Sequence, residues 1–133
     1  SIFQFLAESD EYVNLDVRPI SSQTILKQQE RMHRIHQFVE TNFQKSIDTQ
    51  LIANEVNLSL PAFCRYMKKT TKLTYTDFVN QYRIQYAKKL LIQDKNVTET
   101  CFESGFESLS YFNRIFKKWT GETPSGFRKQ RLK

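Results

Sequence analysis

Apolar side chains recur at Met32, Ile35, Phe38, Val39 and Phe43. That is the spacing of one helix face, and it predicts a first helix from Ile25 to about Asn42. Asp48 is placed to cap a following helix, with Ile47 and Ile52 at the two ends of a hydrophobic staple, so a short helix should run from Thr49 to Val56. Asn57 tolerates the left-handed conformation a sharp turn needs. Ser59 can cap the next helix, with Pro61 in its first turn where no backbone donor is lost, and this helix should reach about Thr70. Thr74 and Asp77 open a long helix to about Gln93, whose apolar stripe includes Phe78, Val79, Tyr82, Tyr86, Leu90 and Leu91. The scheme then returns: Asn96 and Glu99 resemble a capping box, Gly105 supplies the turn, and Ser108 caps a helix ending near Trp119. Thr123-Pro124 starts a last short helix, Ser125 to about Gln130. No stretch alternates long enough for a strand, so the pattern predicts an all-α chain.

The return is visible in the residues themselves. The stretch Phe63–Phe78 (FCRYMKKTTKLTYTDF) reappears 49 residues later as Phe112–Phe127 (FNRIFKKWTGETPSGF). Seven of the sixteen paired positions are identical: Phe63/Phe112, Arg65/Arg114, Lys68/Lys117, Lys69/Lys118, Thr71/Thr120, Thr74/Thr123 and Phe78/Phe127. Self-similarity at a fixed period means one supersecondary unit used twice. The shared part is a basic helix with a turn-like exit.

Composition narrows the picture. At 133 residues, with three Gly and three Pro, the chain holds one domain or two very small ones and lacks the turn residues of a sandwich or barrel. No segment approaches the roughly 18 apolar residues that would span a bilayer, which predicts a soluble protein with no membrane partner. Cys64 and Cys101 form no disulfide framework and have no metal-ligand spacing, which favours a reducing, cytoplasmic address. Charge is unevenly placed. Residues 1–24 hold Glu8, Asp10, Glu11 and Asp16 against Arg18, a balance of −3, so with the whole chain at +6 the remainder carries +9. That skew marks the later part as a candidate nucleic-acid binder. The chain opens Ser-Ile-Phe and reads as a piece of a longer protein. Ile2–Leu6 looks like the end of a helix from a preceding part, and Val17–Thr24 like a linker, since the residue before Pro19 is pushed away from helix.

The Asp48–Lys69 segment has the requirements of a helix-turn-helix. Ala53 is the small residue where the two helices cross. Ile52, Val56, Leu58, Phe63 and Tyr66 fall at inward positions, and Asn57 accepts the positive φ of the turn. In the second copy Cys101 takes the crossing position and Gly105 the turn, with Phe106, Phe112 and Ile115 inward. Thr100 and Ser104 stand where apolar residues belong, so their hydroxyls should bond back to helix carbonyls. A less stable second unit, supported by Trp119 and Phe127, is expected. A helix-turn-helix inserts its second helix into the major groove, an opening about 12 Å wide. The outward residues of that helix are Pro61, Cys64, Arg65 and Lys68 in the first copy, and Leu109, Ser110, Asn113, Arg114 and Lys117 in the second. Asn113 can pair twice with adenine, Arg65 or Arg114 twice with guanine, and Leu109 can touch a thymine methyl. The base-contacting candidates are therefore Pro61, Cys64, Arg65, Leu109, Ser110, Asn113 and Arg114. Lys68, Lys69, Lys72, Lys117, Lys118 and the tail Arg128, Lys129, Arg131 and Lys133 are the phosphate-contacting candidates.

Over Met32–Arg131 the chain resembles the DNA-binding region of the AraC/XylS family of bacterial transcription regulators. The most specific stretch is Gly105–Lys129, GFESLSYFNRIFKKWTGETPSGFRK, with a Gly-Phe turn, a Ser-Tyr-Phe recognition helix, a Phe-Lys pair and a closing Thr-Pro and Arg. The resemblance implies a homeodomain-like fold of about seven helices, with two helix-turn-helix subdomains (25–73 and 94–133) joined by a linking helix (74–93). Residues 1–24 would be the tail of a preceding sensor or dimerisation domain, or a linker helix. It also implies sequence-specific binding of promoter or operator double-stranded DNA in successive major grooves, a cytoplasmic, nucleoid-associated address, RNA polymerase as a partner, and no cofactor. Boxes about 10 base pairs apart are expected, since that is one turn of duplex; straight DNA would bend if the probes are held rigidly. Three positions depart from the family pattern. Lys72 replaces the glycine that usually follows the first recognition helix, which predicts a different exit there. Met67 replaces a Phe, and Thr100 an apolar residue.

Rival chemistry is thin. His33 and His36 lie three apart on the first helix, and spacing suggests no carboxylate to complete a metal site, so no enzyme or metal centre is predicted. Cys64 on an outward basic face supports an alternative as a thiol-based sensor. A basic helical face also suits a protein-interaction adaptor with an acidic partner. RNA ranks lower, because most Phe and Tyr fall on inward stripes rather than on exposed stacking platforms.

Overall fold

A computed structural model describes residues 22–132, and the compact unit that begins at His33 carries the features that follow. The expectation for Ile2–Leu6, and the part of the 1–24 reading before Ser22, lie outside the described residues. Among those described, seven α-helices follow one another: α1 (Ser22–Asn42), α2 (Thr49–Glu55), α3 (Leu60–Thr71), α4 (Tyr75–Ile92), α5 (Val97–Glu103), α6 (Leu109–Thr120) and α7 (Pro124–Arg131). There are no strands among them. Helix α1 starts at Ser22, inside the stretch read as a linker, so Ser22, Gln23 and Thr24 are helical.

Capping chemistry sets the starts of the other six. The side chains of Asp48, Ser59, Thr74, Asn96, Ser108 and Thr123 each accept a hydrogen bond from the backbone N–H three residues on. Each bond satisfies a donor that the helix cannot satisfy itself, and each is worth about 1 kcal/mol. At Asn96 the return bond of the capping box comes from the side-chain amide, which donates to the Glu99 carboxylate.

Helix α4 runs between two small cores. In the first, Ile35 and Val39 of α1, Ile52, Ala53 and Val56 of the α2 segment, and Phe63 and Met67 of α3 are buried together with Tyr75, Phe78 and Val79 of α4. Phe63 meets Tyr75 edge-on at 5.3 Å, and His36 lies 5.2 Å from Phe78. In the second, Ile84, Ala87 and Leu91 of α4 cluster with Cys101, Phe106, Phe112, Ile115, Phe116 and Phe127, while Val97, Tyr111 and Trp119 pack on the edge. Serving both cores, α4 buries more of its circumference than the expected stripe. Asn80 and Arg83 are buried in it, while Tyr82 and Tyr86 are only half-buried.

Two expectations are overturned. The Thr100 and Ser104 hydroxyls are fully buried, and neither finds a hydrogen-bond partner. Both occupy core-facing positions, where their neighbours are apolar. The exit of the first recognition helix is not different, either. Lys72 sits at φ 66°, ψ 10°, and Gly121 at φ 82°, ψ −4°, the same left-handed cap.

Candidate nucleic-acid interface

The seven identities of the internal repeat divide by what the fold asks of them. Phe63/Phe112 and Phe78/Phe127 are core residues. Thr74 and Thr123 are N-caps. Thr71 Oγ1 donates to the Met67 carbonyl at 2.7 Å and accepts from Leu73 N at 3.1 Å; Thr120 Oγ1 does the same with Phe116 (2.8 Å) and Glu122 N (3.1 Å). Those four pairs build the recognition helix and its exit. The other three, Arg65/Arg114, Lys68/Lys117 and Lys69/Lys118, are exposed in both copies. The core makes no demand on them beyond the mild benefit of cations near a helix C-terminus.

On α3, Pro61, Cys64, Arg65, Lys68 and Lys69 are all exposed, and so is Lys72 just beyond it. On α6, Leu109, Ser110, Asn113, Arg114, Lys117 and Lys118 are exposed. The Arg114 guanidinium lies 5.1 Å from the centre of the Tyr111 ring, and the Lys118 ammonium 5.3 Å from that of Trp119. Such contacts restrain a cation without neutralising it, leaving its hydrogen-bond donors for a polyanion or a base edge. Lys129 is exposed as well. Arg128 is otherwise engaged: its guanidinium pairs with Asp94 at 2.6 Å and donates to the Lys95 carbonyl at 3.0 Å, closing the C-terminal end of α4. Arg131 pairs with Glu122 at 3.2 Å and lies 4.0 Å from the Phe127 ring centre. Lys133 is outside the described residues.

One residue of this surface escaped the sequence reading. Leu60 is an apolar side chain exposed to the same degree as Leu109, 38%, at the matching first position of its helix. Carrying the repeat upstream by four residues, to Ser59-Leu60 and Ser108-Leu109, would have found it.

Among the described residues, no three His, Cys, Asp or Glu side chains are grouped to hold a metal ion. His36 Nδ1 shares a hydrogen bond with the Tyr82 hydroxyl. Cys101 is buried, and burial pushes its thiol pKa up; Cys64 is free and exposed. No described helix is long and apolar enough to cross a membrane.

Two helix-turn-helix units, each presenting an exposed basic second helix, define a DNA-binding domain of paired readers. A family described as "Helix-turn-helix domain" matches residues 52–130. An uncharacterised HTH-type transcriptional regulator from the cgkA 5′ region of Pseudoalteromonas carrageenovora is 35% identical over 92 residues, covering 69% of this chain and 55% of that protein. The C-terminal domain of the two-component response regulator yesN from Fusobacterium nucleatum superposes with a TM-score of 0.68 at 25% identity, covering 74% of this chain and 98% of that one. A Chromobacterium violaceum regulator with an AraC-type DNA-binding domain shares the fold, with a TM-score of 0.71 at 24% identity, 79% of this chain and 95% of that one. The chain belongs to the AraC/XylS family of transcription regulators and carries their DNA-binding helix-turn-helix domain. It spans 55%, 34% and 45% of the length of three curated relatives that it matches.

Proposed function

We propose that this chain binds double-stranded DNA sequence-specifically, with α3 and α6 in adjacent major grooves, as the output domain of a bacterial transcription regulator. The observation that carries this reading is the set of three exposed basic pairs repeated at the same helical positions, where the core makes no demand on them. Arg65, Arg114 and Asn113 read base edges, Leu60 and Leu109 offer apolar contact to thymine methyls, and Pro61, Cys64 and Ser110 border the same grooves. Lys68, Lys69, Lys72, Lys117, Lys118 and Lys129 hold phosphates. Arg128, bound to Asp94 and the Lys95 carbonyl, acts within the protein. The domain division follows the same plan: subdomains 25–73 and 94–133, the linking helix 74–93, and a preceding sensor or dimerisation domain attached through residues 1–24. RNA polymerase is the partner that converts occupancy into regulation. The protein works in the cytoplasm on the nucleoid.

Selection of bound duplexes from a random pool tests this. One strongly preferred sequence with two boxes about 10 base pairs apart is expected, together with a steep loss of affinity in salt. Uniform binding of every duplex, or binding that ignores salt, would overturn the reading.

A further inference from the structure

The two units touch through a polar seam. The connection between α1 and α2, residues 43–48, lies against the α5–α6 turn of the second unit. Gln44 Nε2 donates to the Glu103 carbonyl at 2.8 Å, and Ser46 Oγ to the Glu107 carboxylate at 3.3 Å. Gly105 is so close to this connection that a Cβ there would stand 2.5 Å from the Phe43 carbonyl oxygen and 2.9 Å from Arg83 Nε. Arg83, from the middle of α4, sits in the seam with only 5% of its surface exposed. Its Nε donates to the Phe43 carbonyl and one terminal nitrogen to the Lys45 carbonyl, both at 2.7 Å; the guanidinium carbon lies 5.5 Å from the Phe106 ring centre. Its neighbour Asn80, fully buried, donates to the Tyr111 hydroxyl on α6 at 2.8 Å.

Among the described residues no carboxylate forms an ion pair with Arg83. Burial lowers its pKa, the sign of a cation taken from water without full compensation. Such burial is costly, and apolar residues of similar volume often replace buried charges without loss of stability. What an apolar residue could not do is hold two carbonyls of the first unit in a fixed fork geometry while lying on a ring of the second.

We propose that Arg83, with Asn80, is a positioning residue that sets the orientation of α6 relative to α3, and through it the spacing of DNA boxes the protein accepts. This rests on the DNA-binding reading above. A locked pair of readers tolerates one spacing, because each inserted base pair displaces a box by about 3.4 Å and turns it by about 35°. A loosened pair tolerates several, and binds its best site less well because preorganisation is lost.

The test takes the two-box duplex selected by the wild-type chain and varies its spacer by −1, +1 and +2 base pairs. Wild type, Arg83→Met and Tyr111→Phe are compared. Tyr111→Phe keeps the ring beneath Arg114 and removes only the hydroxyl that accepts from Asn80. Wild type should lose about tenfold or more in affinity for one inserted base pair, and each variant about threefold or less, with a weaker optimum. A uniform drop at every spacing, with the wild-type profile preserved, is what simple destabilisation produces and overturns the proposal. A wild-type chain indifferent to spacing overturns it too, while leaving sequence-specific binding intact. Recovery of no preferred duplex sinks the DNA-binding reading itself. If Arg83→Met does not fold, Tyr111→Phe decides the matter alone.

Discussion

The two helix-turn-helix units differ most at their turns. In the first, Asn57 makes the turn at φ 60° and faces solvent. In the second, Gly105 makes it at φ 102°, buried against Phe43 and Arg83. Five residues separate α5 from α6 where four separate α2 from α3, and the longer turn carries Glu107, the acceptor of the Ser46 bond. The crossing helices differ as well: Ile52, Ala53 and Val56 in the first unit become Thr100, Cys101 and Ser104 in the second. One motif thus answers to two sets of demands. The first turn has only to reverse the chain, whereas the second has also to fit its neighbour.

The sharpest way to break that contrast is Gly105→Ala. Its methyl meets a backbone carbonyl that cannot yield cheaply, so about 3 kcal/mol or more of stability should go, read by urea unfolding. Asn57→Ala, at the open turn, should cost only about 1 kcal/mol. Comparable losses would show that the second turn is not the more constrained.

Next in size is the division of base reading. Arg114→Ala should weaken specific binding by about 1–3 kcal/mol and relax choice at one base position. Arg65→Ala does the same in the other box if both units read. Equal loss on all sequences would make either residue a phosphate contact. Lys118→Ala should weaken binding to all sequences alike and flatten the salt slope by about one unit; an unchanged slope removes it from the phosphate set.

Thr100→Val comes third. It replaces an unpartnered buried hydroxyl with a methyl of similar size, and stability should rise by about 1 kcal/mol in thermal or urea unfolding. A loss of stability would mean that the hydroxyl has a partner, such as an ordered water. The smallest effect is expected at the first unit's exit. Lys72→Gly relieves a left-handed lysine and should stabilise by up to about 1 kcal/mol, while lowering DNA affinity and the salt slope. Stability and affinity moving together would separate Lys72 from phosphate.

Much of the helical frame is legible in the chain. All six expected N-caps accept the expected bonds, since a cap depends on a side chain and a backbone three residues away and on little else. The candidate recognition faces are legible for a related reason: Arg65 and Arg114 fall on the outward side of helices whose inward sides are marked by Phe63, Met67, Phe112 and Phe116. Arg83 was not legible. A lone arginine on a long helix reads as solvated, and only the approach of residues 43–45, about forty positions away, turns it into a buried anchor. Arg128 escaped likewise, because Asp94, 34 residues away, meets it only in the folded chain.

Local chemistry, then, is enough to set where helices begin, which of their sides seek the interior, and that one basic unit occurs twice. These follow from periodicity and from hydrogen bonds spanning three or four residues. Which polar residues are drawn inside, which hydroxyls go unpartnered, and how the second turn is clamped against the first unit were decided by packing alone. The reason is physical: burial and long-range hydrogen bonds depend on what arrives from elsewhere in the chain, and no spacing within one helix encodes that arrival.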